Sequence, residues 1–230
     1  MSAPTVSREK VWAALNYTPR IGQAALAAAV TAGHRYLSFF AYPRAGKSYV
    51  AAKLVLPELL KPDTHVWIVA PTYELGSKEF GYVWNDALEL GWLQMASSRH
   101  FDKRGGNLTI EFPWGSFIKV VSADNPMALR AEELDWLILA EASALSSDIF
   151  YQHLFARVEK RHGRVLIPTT PKGFNWCYET WRVPSLAPGH KDLHGQSNPK
   201  YDPAFWSIVV SAVPEYGDIL EPGIYDDETI

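Results

Sequence analysis

A short segment, YPRAGKS, combines small residues with a lysine and a hydroxyl side chain. It follows an apolar stretch and precedes residues whose apolar side chains recur at helical spacing. Backbone N–H groups of such a loop, at the N-terminus of a helix, can surround a phosphate. The lysine would place its charge on the outer phosphates, and the serine hydroxyl would bind Mg²⁺. The segment therefore predicts a nucleotide site at Arg44, Ala45, Gly46, Lys47 and Ser48.

One position departs from the usual phosphate-loop pattern. Ala41 stands where the first glycine is normally found. A methyl group is tolerated there only if that residue keeps a negative φ. The alternative is an ordinary helix start, with Lys47 and Ser48 in solvent.

A second segment, LDWLILAEAS, is an apolar stretch that ends in an acidic residue. ATP hydrolysis uses one carboxylate to orient Mg²⁺ and a second to polarise the attacking water. Glu141 stands where the second is needed, but Ala140 fills the place of the first. Asp135 is too distant to substitute, because five residues of extended chain at about 3.3 Å each separate it from that end. We therefore predict impaired Mg²⁺ binding and slow turnover, whether Ala140 is a natural variant or an introduced substitution.

The composition is that of an ordinary globular protein. The 230 residues are 47% hydrophobic and carry a net charge of −3, so any nucleic-acid site must be a local patch. The single cysteine, Cys177, excludes an internal disulfide and suits a reducing compartment. No stretch approaches the roughly 18 apolar residues of a membrane span, and the first residues lack a signal-peptide core. A cytosolic protein without membrane contact is expected.

Apolar strands alternate with helical segments along the chain. This pattern predicts an α/β fold with a parallel sheet and helices on both faces. Ligands of such sheets bind at the carboxyl ends of the strands, which is where both chemical segments lie. NLTIEF and SFIKVVS, joined by PWG, predict a hairpin. The predicted buried strands are RYLSFFA, THVWIVA, LDWLILA, RVLIPTT and a last one, FWSIVVSAV.

The order and spacing of several segments resemble the ATPase domain of the large terminase subunit of tailed bacteriophages, the DNA-packaging motor. The resemblance extends from about Tyr17 to Tyr178, and YPRAGKS is similar to the family's phosphate loop, which often lacks the first glycine. The other similar segments are LNYTPRIGQAAL (adenine recognition), VWIVAPTYELG (after the second strand), SADNPMALRAEELDWLILAEAS (the acidic strand) and IPTTPKGFNWCYE (coupling).

The resemblance implies roles for further residues. Gln23 would read adenine, because an amide donates and accepts at once. Arg130 would be an arginine finger acting on a neighbouring subunit, and Thr169 and Thr170 would couple hydrolysis to DNA contacts. The family's loop arginine stands earlier than Arg44, so the role of Arg44 is open. The alternatives are a solvated Gln23, a surface ion pair of Arg130 with the EELD segment, and strand-end threonines bonded to backbone.

The implied fold is a P-loop NTPase of the RecA-like (ASCE) type. Residues 1–212 would form the ATPase domain, including the adenine-recognition segment, and residues 213–230 an acidic linker tail. The family's nuclease domain is expected to be absent, since its carboxylate cluster is not found here.

The implied function is Mg²⁺-dependent ATP hydrolysis coupled to translocation of double-stranded viral DNA into a capsid, in the host cytoplasm. The implied partners are the DNA, the portal, the small terminase subunit and further copies of this chain in a ring, although an isolated chain could be monomeric. Arg99, Lys103 and Arg104 offer weak DNA-backbone contacts, with a solvated turn as the slightly favoured alternative. A second basic segment, ARVEKRHGR, is expected to be a solvated helix end, and the histidines lack zinc-site spacing.

Two other functions stay open. A helicase-like translocase is suggested by APTYELG, which resembles a helicase segment that touches nucleic acid, but it needs a second motor domain. A nucleotide-binding assembly subunit without turnover is favoured by Ala140. Unwinding of a forked duplex would support the first, and ATP binding without turnover in an assembled ring would support the second.

Overall fold

A mixed β-sheet organises the chain in the computed structural model, which describes residues 6–186, 200–211 and 217–220. These residues contribute nine strands: β1 Tyr36–Ala41, β2 His65–Ala70, β3 Ser98–Asp102, β4 Asn107–Glu111, β5 Phe117–Ser122, β6 Trp136–Leu139, β7 Arg164–Thr169, β8 Phe205–Ser211 and β9 Ile219–Leu220.

The helices begin and end at recognisable signals. Ser7 and Thr72 cap two of them by accepting hydrogen bonds from the backbone N–H groups of Lys10 and Leu75. Gly33, with φ 92°, follows another, as its sequence position predicts. The helices are α1 Arg8–Ala14, α2 Ile21–Thr31, α3 Lys47–Val55, α4 Tyr73–Glu89, α5 Phe155–Lys160 and α6 Val183–Ser185. Short 3₁₀ turns span Pro57–Leu60, Trp92–Gln94, Ala128–Arg130 and Ala142–Ala144, and π-helical turns span Ile149–Leu154 and Tyr178–Arg182.

The sheet order is β3-β4-β5-β2-β6-β7-β1-β8-β9. All neighbouring pairs from β5 to β9 are parallel, and β3 and β4 extend the sheet in antiparallel fashion. The four central strands β2, β6, β7 and β1 are almost wholly buried. Their continuous apolar stretches follow from this burial, and the predicted parallel α/β fold is confirmed.

Apolar clusters cover the two faces of the sheet. One packs the strands against α1 to α4 and includes Phe39, and the other packs them against the α5 side and includes Phe40. Successive residues of a strand point to opposite faces, so β1 contributes to both clusters. Helices therefore lie on both faces, as predicted. Among the described residues, no helix is both long and apolar enough to cross a membrane.

The edges of the sheet differ from the sequence prediction. β3 was not predicted, because Arg99 to Asp102 are exposed on an edge strand and carry no continuous apolar signal. At the other edge, β9 pairs with β8, so the sheet extends past residue 212, where the linker was placed. Beside β9, the Asp218 carboxylate forms an ion pair with Arg182, with 2.6 Å between Asp218 Oδ1 and Arg182 Nη2. The domain boundary itself stays a prediction, and most of the predicted loop before β8 lies outside the described residues.

Candidate nucleotide site

The connection between β1 and α3 contains two residues in the left-handed region. Arg44 and Gly46 adopt positive φ values of 68° and 77°, whereas Ala41 is not among the residues with positive φ. The condition for an alanine at the first position is therefore met. α3 begins at Lys47, so its first N–H groups, which have no helical partner, follow directly on this loop.

Gln23 packs against this loop. Its Nε2 donates to the Gly46 carbonyl at 3.4 Å, and its Oε1 accepts from the Tyr17 hydroxyl and the Arg20 N–H, both at 3.0 Å. A Cβ on Gly46 would lie 2.6 Å from that Nε2. Gln23 is 3% exposed, so the solvated alternative is wrong. Its reading of adenine stays a prediction.

Lys47 reaches across the loop rather than into solvent. Its ammonium group donates to the carbonyls of Ala41 at 3.0 Å and Tyr42 at 2.9 Å. Burial lowers the pKa of Lys47, and the nearby Glu141 and Glu79 carboxylates oppose that shift. The lysine therefore lies within the electrostatic field of two carboxylates, which favour its charged form.

Glu141 follows the end of β6, which β7 separates from β1 in the sheet, and lines the same cleft as the loop. Ala140 continues β6 by donating its N–H to the Val69 carbonyl at 2.9 Å, and Glu141 then leaves the sheet with φ 51°. Such a φ is uncommon for a residue with a side chain and is frequent at functional sites. One open cleft of ≈ 520 Å³ is lined by Arg44, Gly46, Lys47, Ser48, Glu141 and Thr170, among others.

The end of β7 touches the turn that carries Glu141. The buried Thr169 hydroxyl donates to Ser143 Oγ at 3.1 Å and accepts from the Ser143 N–H at 3.4 Å. Thr170 lines the cleft. The two threonines thus connect the cleft with the Ala142–Ala144 turn, and their role in coupling stays a prediction.

Sequence reasoning missed Glu79 on α4, which is 3% exposed. Burial raises its pKa, the nearby Ser48 hydroxyl opposes that shift, and the Glu141 charge adds to it. Its Oε2 atom has no hydrogen-bond partner among the described residues. The sequence did contain a signal for its burial: Glu79 lies at helical spacing from Gly76, Phe80 and Val83, on the buried face of α4. A charged residue is unusual on such a face.

Arg130 lies at the surface and does not line the cleft. Its Nε donates to His153 Nδ1 at 3.1 Å. The EELD carboxylates pair instead with Lys119, Lys160 and Arg161, so among the described residues the alternative of an Arg130 ion pair with this segment is wrong. The arginine-finger role stays a prediction.

The basic residues near β3 are exposed on the far edge of the sheet. Arg99 donates to the Leu93 carbonyl, and the Lys103 ammonium lies 5.6 Å from the centroid of the Phe101 ring. Arg104 lies in the turn between β3 and β4. Their contact with DNA stays a prediction. In the other basic segment, Lys160 and Arg161 are ion-paired rather than simply solvated.

The fold and the site together define a class. A parallel sheet between helices, a tight loop between β1 and α3 and a carboxylate after β6 are the features of a P-loop-type fold. The large terminase ATPase domain of Thermus phage P74-26 has this structure, with a TM-score of 0.72 and 27% identity over 88% of this chain and 84% of that chain. The large terminase of bacteriophage HK97 shares the fold alone, with a TM-score of 0.58 and 16% identity over 71% of this chain and 37% of that chain.

Curated relatives point to the same proteins. The terminase large subunit of Escherichia phage T5 is 29% identical over 175 residues, which are 74% of this chain and 39% of that protein. That of Thermus phage G20c is 32% identical over 149 residues, which are 59% of this chain and 31% of that protein. No family model matches the chain. The resemblance found in the sequence is confirmed: the chain is related to the phage large terminase subunits and has the fold of their ATPase domain. The chain matches over less than two fifths of the length of these curated relatives.

Proposed function

We propose that this chain is the ATPase motor domain of a phage DNA-packaging machine. It would bind ATP with Mg²⁺ and couple hydrolysis to movement of double-stranded DNA into a capsid. The observation that carries this proposal is the shared cleft: the loop before α3 and the carboxylate of Glu141 line it together. The relatedness to large terminase ATPase domains supports the same function.

The side chains suit a magnesium nucleotide. Mg²⁺ prefers oxygen ligands, and the Ser48 hydroxyl provides one at the loop, with the orphaned Oε2 atom of Glu79 in the same region. When bound, the cation would neutralise charge on the phosphates. Lys47 would hold the outer phosphates, the loop from Arg44 to Ser48 would surround them, and Glu141 would align the attacking water.

Arg130 and the exposed basic residues near β3 suggest how the domain works in an assembly. Arg130 is exposed and does not line its own cleft, which supports action on a neighbouring copy rather than within the same chain. The proposed assembly is therefore a homo-oligomeric ring in the host cytoplasm, together with the portal and the small terminase subunit. Arg99, Lys103 and Arg104 are candidate contacts to the DNA backbone.

The test is ATP binding and turnover with Mg²⁺ by this chain and three variants. Lys47→Ala should lose ATP affinity, because the phosphate charge is no longer balanced. Glu141→Gln should keep binding and lose turnover, and Ala140→Asp should raise turnover by restoring a strand-end carboxylate. Undiminished ATP binding by Lys47→Ala would overturn the proposal.

A second candidate function is favoured by one observation. Ala140 is fully buried and carries no group that could orient a cation. A nucleotide-binding assembly subunit without turnover would need none. ATP binding by an assembled ring with no phosphate release, in both this chain and Ala140→Asp, would favour that function.

A further inference from the structure

A buried carboxyl group, that of Glu79, lies close to Ser48, the proposed Mg²⁺ ligand. Glu79 is 3% exposed, its carboxyl group lies near the Ser48 side chain, and its Oε2 atom has no partner among the described residues. A buried polar atom without a partner costs about 1–3 kcal/mol, and more if it is charged. Such an atom in a native fold needs a reason, and a ligand beside Ser48 would supply one.

A carboxylate at position 140, where the chain has an alanine, would point to the same region as Glu79. Ala140 packs in the apolar cluster on the α1 to α4 face of the sheet, whereas Leu139 and Ala142 pack in the cluster on the other face. A carboxylate at position 140 would therefore project toward the face that α3 and α4 cover. Glu79 approaches that region from α4, and Ser48 from α3.

We propose that Glu79 replaces the absent strand-end carboxylate as the group that orients Ser48 toward Mg²⁺, an inference that rests on the proposed function. A hydroxyl that donates its proton to a carboxylate keeps its lone pairs for the cation. Lys47 and the Glu141 carboxylate lie within electrostatic range of Glu79 and belong to the same site. Glu79 is thus a positioning residue, which acts on the cation through Ser48.

The inference makes Ala140 less damaging to Mg²⁺ binding than the loss of a carboxylate suggests, and it concerns binding alone: turnover should still rise when Ala140→Asp adds a second carboxylate. A carboxylate from the helix and one from the strand would serve the same purpose, so each should matter most when the other is absent. Their effects on Mg²⁺ affinity should therefore be strongly non-additive.

The experiment titrates Mg²⁺ into the chain with a fluorescent ATP analogue and measures binding, not turnover. Glu79→Gln keeps the shape of the side chain and removes its charge. It should raise the Mg²⁺ concentration needed for half-maximal binding about 10-fold or more, without weakening binding in the absence of Mg²⁺. Glu89→Gln, at an exposed position of the same helix, should leave the titration unchanged.

Ala140→Asp supplies the second arm. It should shift the Mg²⁺ titration little in the parent chain and restore it in the Glu79→Gln background. A shift of about 10-fold in the parent chain would show that nothing compensates for Ala140, and this result does not require Glu79→Gln to fold. An unchanged titration in folded Glu79→Gln would equally overturn the inference while leaving the ATPase proposal intact. A parent chain that binds no nucleotide, with or without Mg²⁺, would overturn both.

Discussion

Gly46 meets two separate constraints at the scale of a single residue. Its φ of 77° disfavours any side chain, and its close neighbour is the Gln23 amide. That amide cannot easily move aside, because Tyr17 and Arg20 hold it by hydrogen bonds. The glycine is therefore required both by the loop and by the helix that packs on it.

Gly46→Ala should destabilise the fold by more than the about 1–2 kcal/mol of a left-handed alanine, because its methyl group would also press on Gln23. The matched control is Gly33→Ala, where φ is 92° but no atom lies within 4 Å of the new methyl group. Urea unfolding of both variants measures the difference. Equal costs would contradict the packing argument, and Gln23→Ala added to Gly46→Ala should recover part of the extra loss.

The relation between α3 and α4 matters at the scale of elements, because these helices carry Ser48 and Glu79. A buried ion pair joins them: Lys53 Nζ lies 2.8 Å from Asp86 Oδ2, and the two residues are 1% and 7% exposed. Removing one partner from such a pair leaves an unpaired buried charge, whereas replacing both by apolar residues is often neutral.

Lys53→Met should therefore cost about 3–5 kcal/mol in the free energy of unfolding. The double variant Lys53→Met with Asp86→Leu should recover most of that loss. Denaturant titration of the two variants and the parent chain measures these differences in the free energy of unfolding. A single variant as stable as the double one would mean that the pair does not hold the helices together.

A second contact between elements predicts a pH dependence. Glu159 on α5 accepts a hydrogen bond from the hydroxyl of Tyr36, the first residue of β1. It accepts a second from the guanidinium of the preceding residue, Arg35, at 2.7 Å. The Tyr36 hydrogen bond, followed by the Arg35 hydrogen bond, lowers the pKa of Glu159 from 4.5. A lowered carboxyl pKa contributes stability that is present above the unfolded pKa and is lost as the pH falls through the folded pKa.

Glu159→Gln should thus flatten the loss of stability on acidification from about pH 5 downward, since the substituted side chain no longer titrates. The size should be modest, because the Glu159 side chain is 35% exposed and solvent screens the interaction. Thermal unfolding at a series of pH values measures it. Glu74→Gln, exposed on α4, should follow the parent curve.

At the scale of the whole molecule, the position of Arg130 outside its own cleft separates action within one chain from action between chains. Arg130→Ala and Glu141→Gln should each lack turnover in an assembled ring, since an arginine finger contributes about 10³–10⁵ in rate. A ring mixed from the two variants should regain turnover, because a Glu141→Gln chain would bring its Arg130 to a neighbour with an intact Glu141. No recovery in rings that contain both chains would rule out action in trans.

Much of the molecule could be predicted from local pattern. The central strands bury side chains on both faces, so their continuous apolar stretches were evident, and the small-residue loop before α3 carries its own chemistry. The exposed edge strand β3 and the two-residue β9 have no such signal, since their place depends on pairing with residues far away in sequence.

The amino-acid sequence by itself determined the parallel α/β fold, the loop that begins α3 and the acidic residue that ends β6, because each depends on residues close together in the chain. Only the tertiary structure decided which side chains meet there. It brought Gln23 onto Gly46, set Glu79 beside Ser48 and left Arg130 outside the cleft. Periodicity indicates that a side chain is buried, but its neighbours depend on how helices and strands distant in sequence pack together.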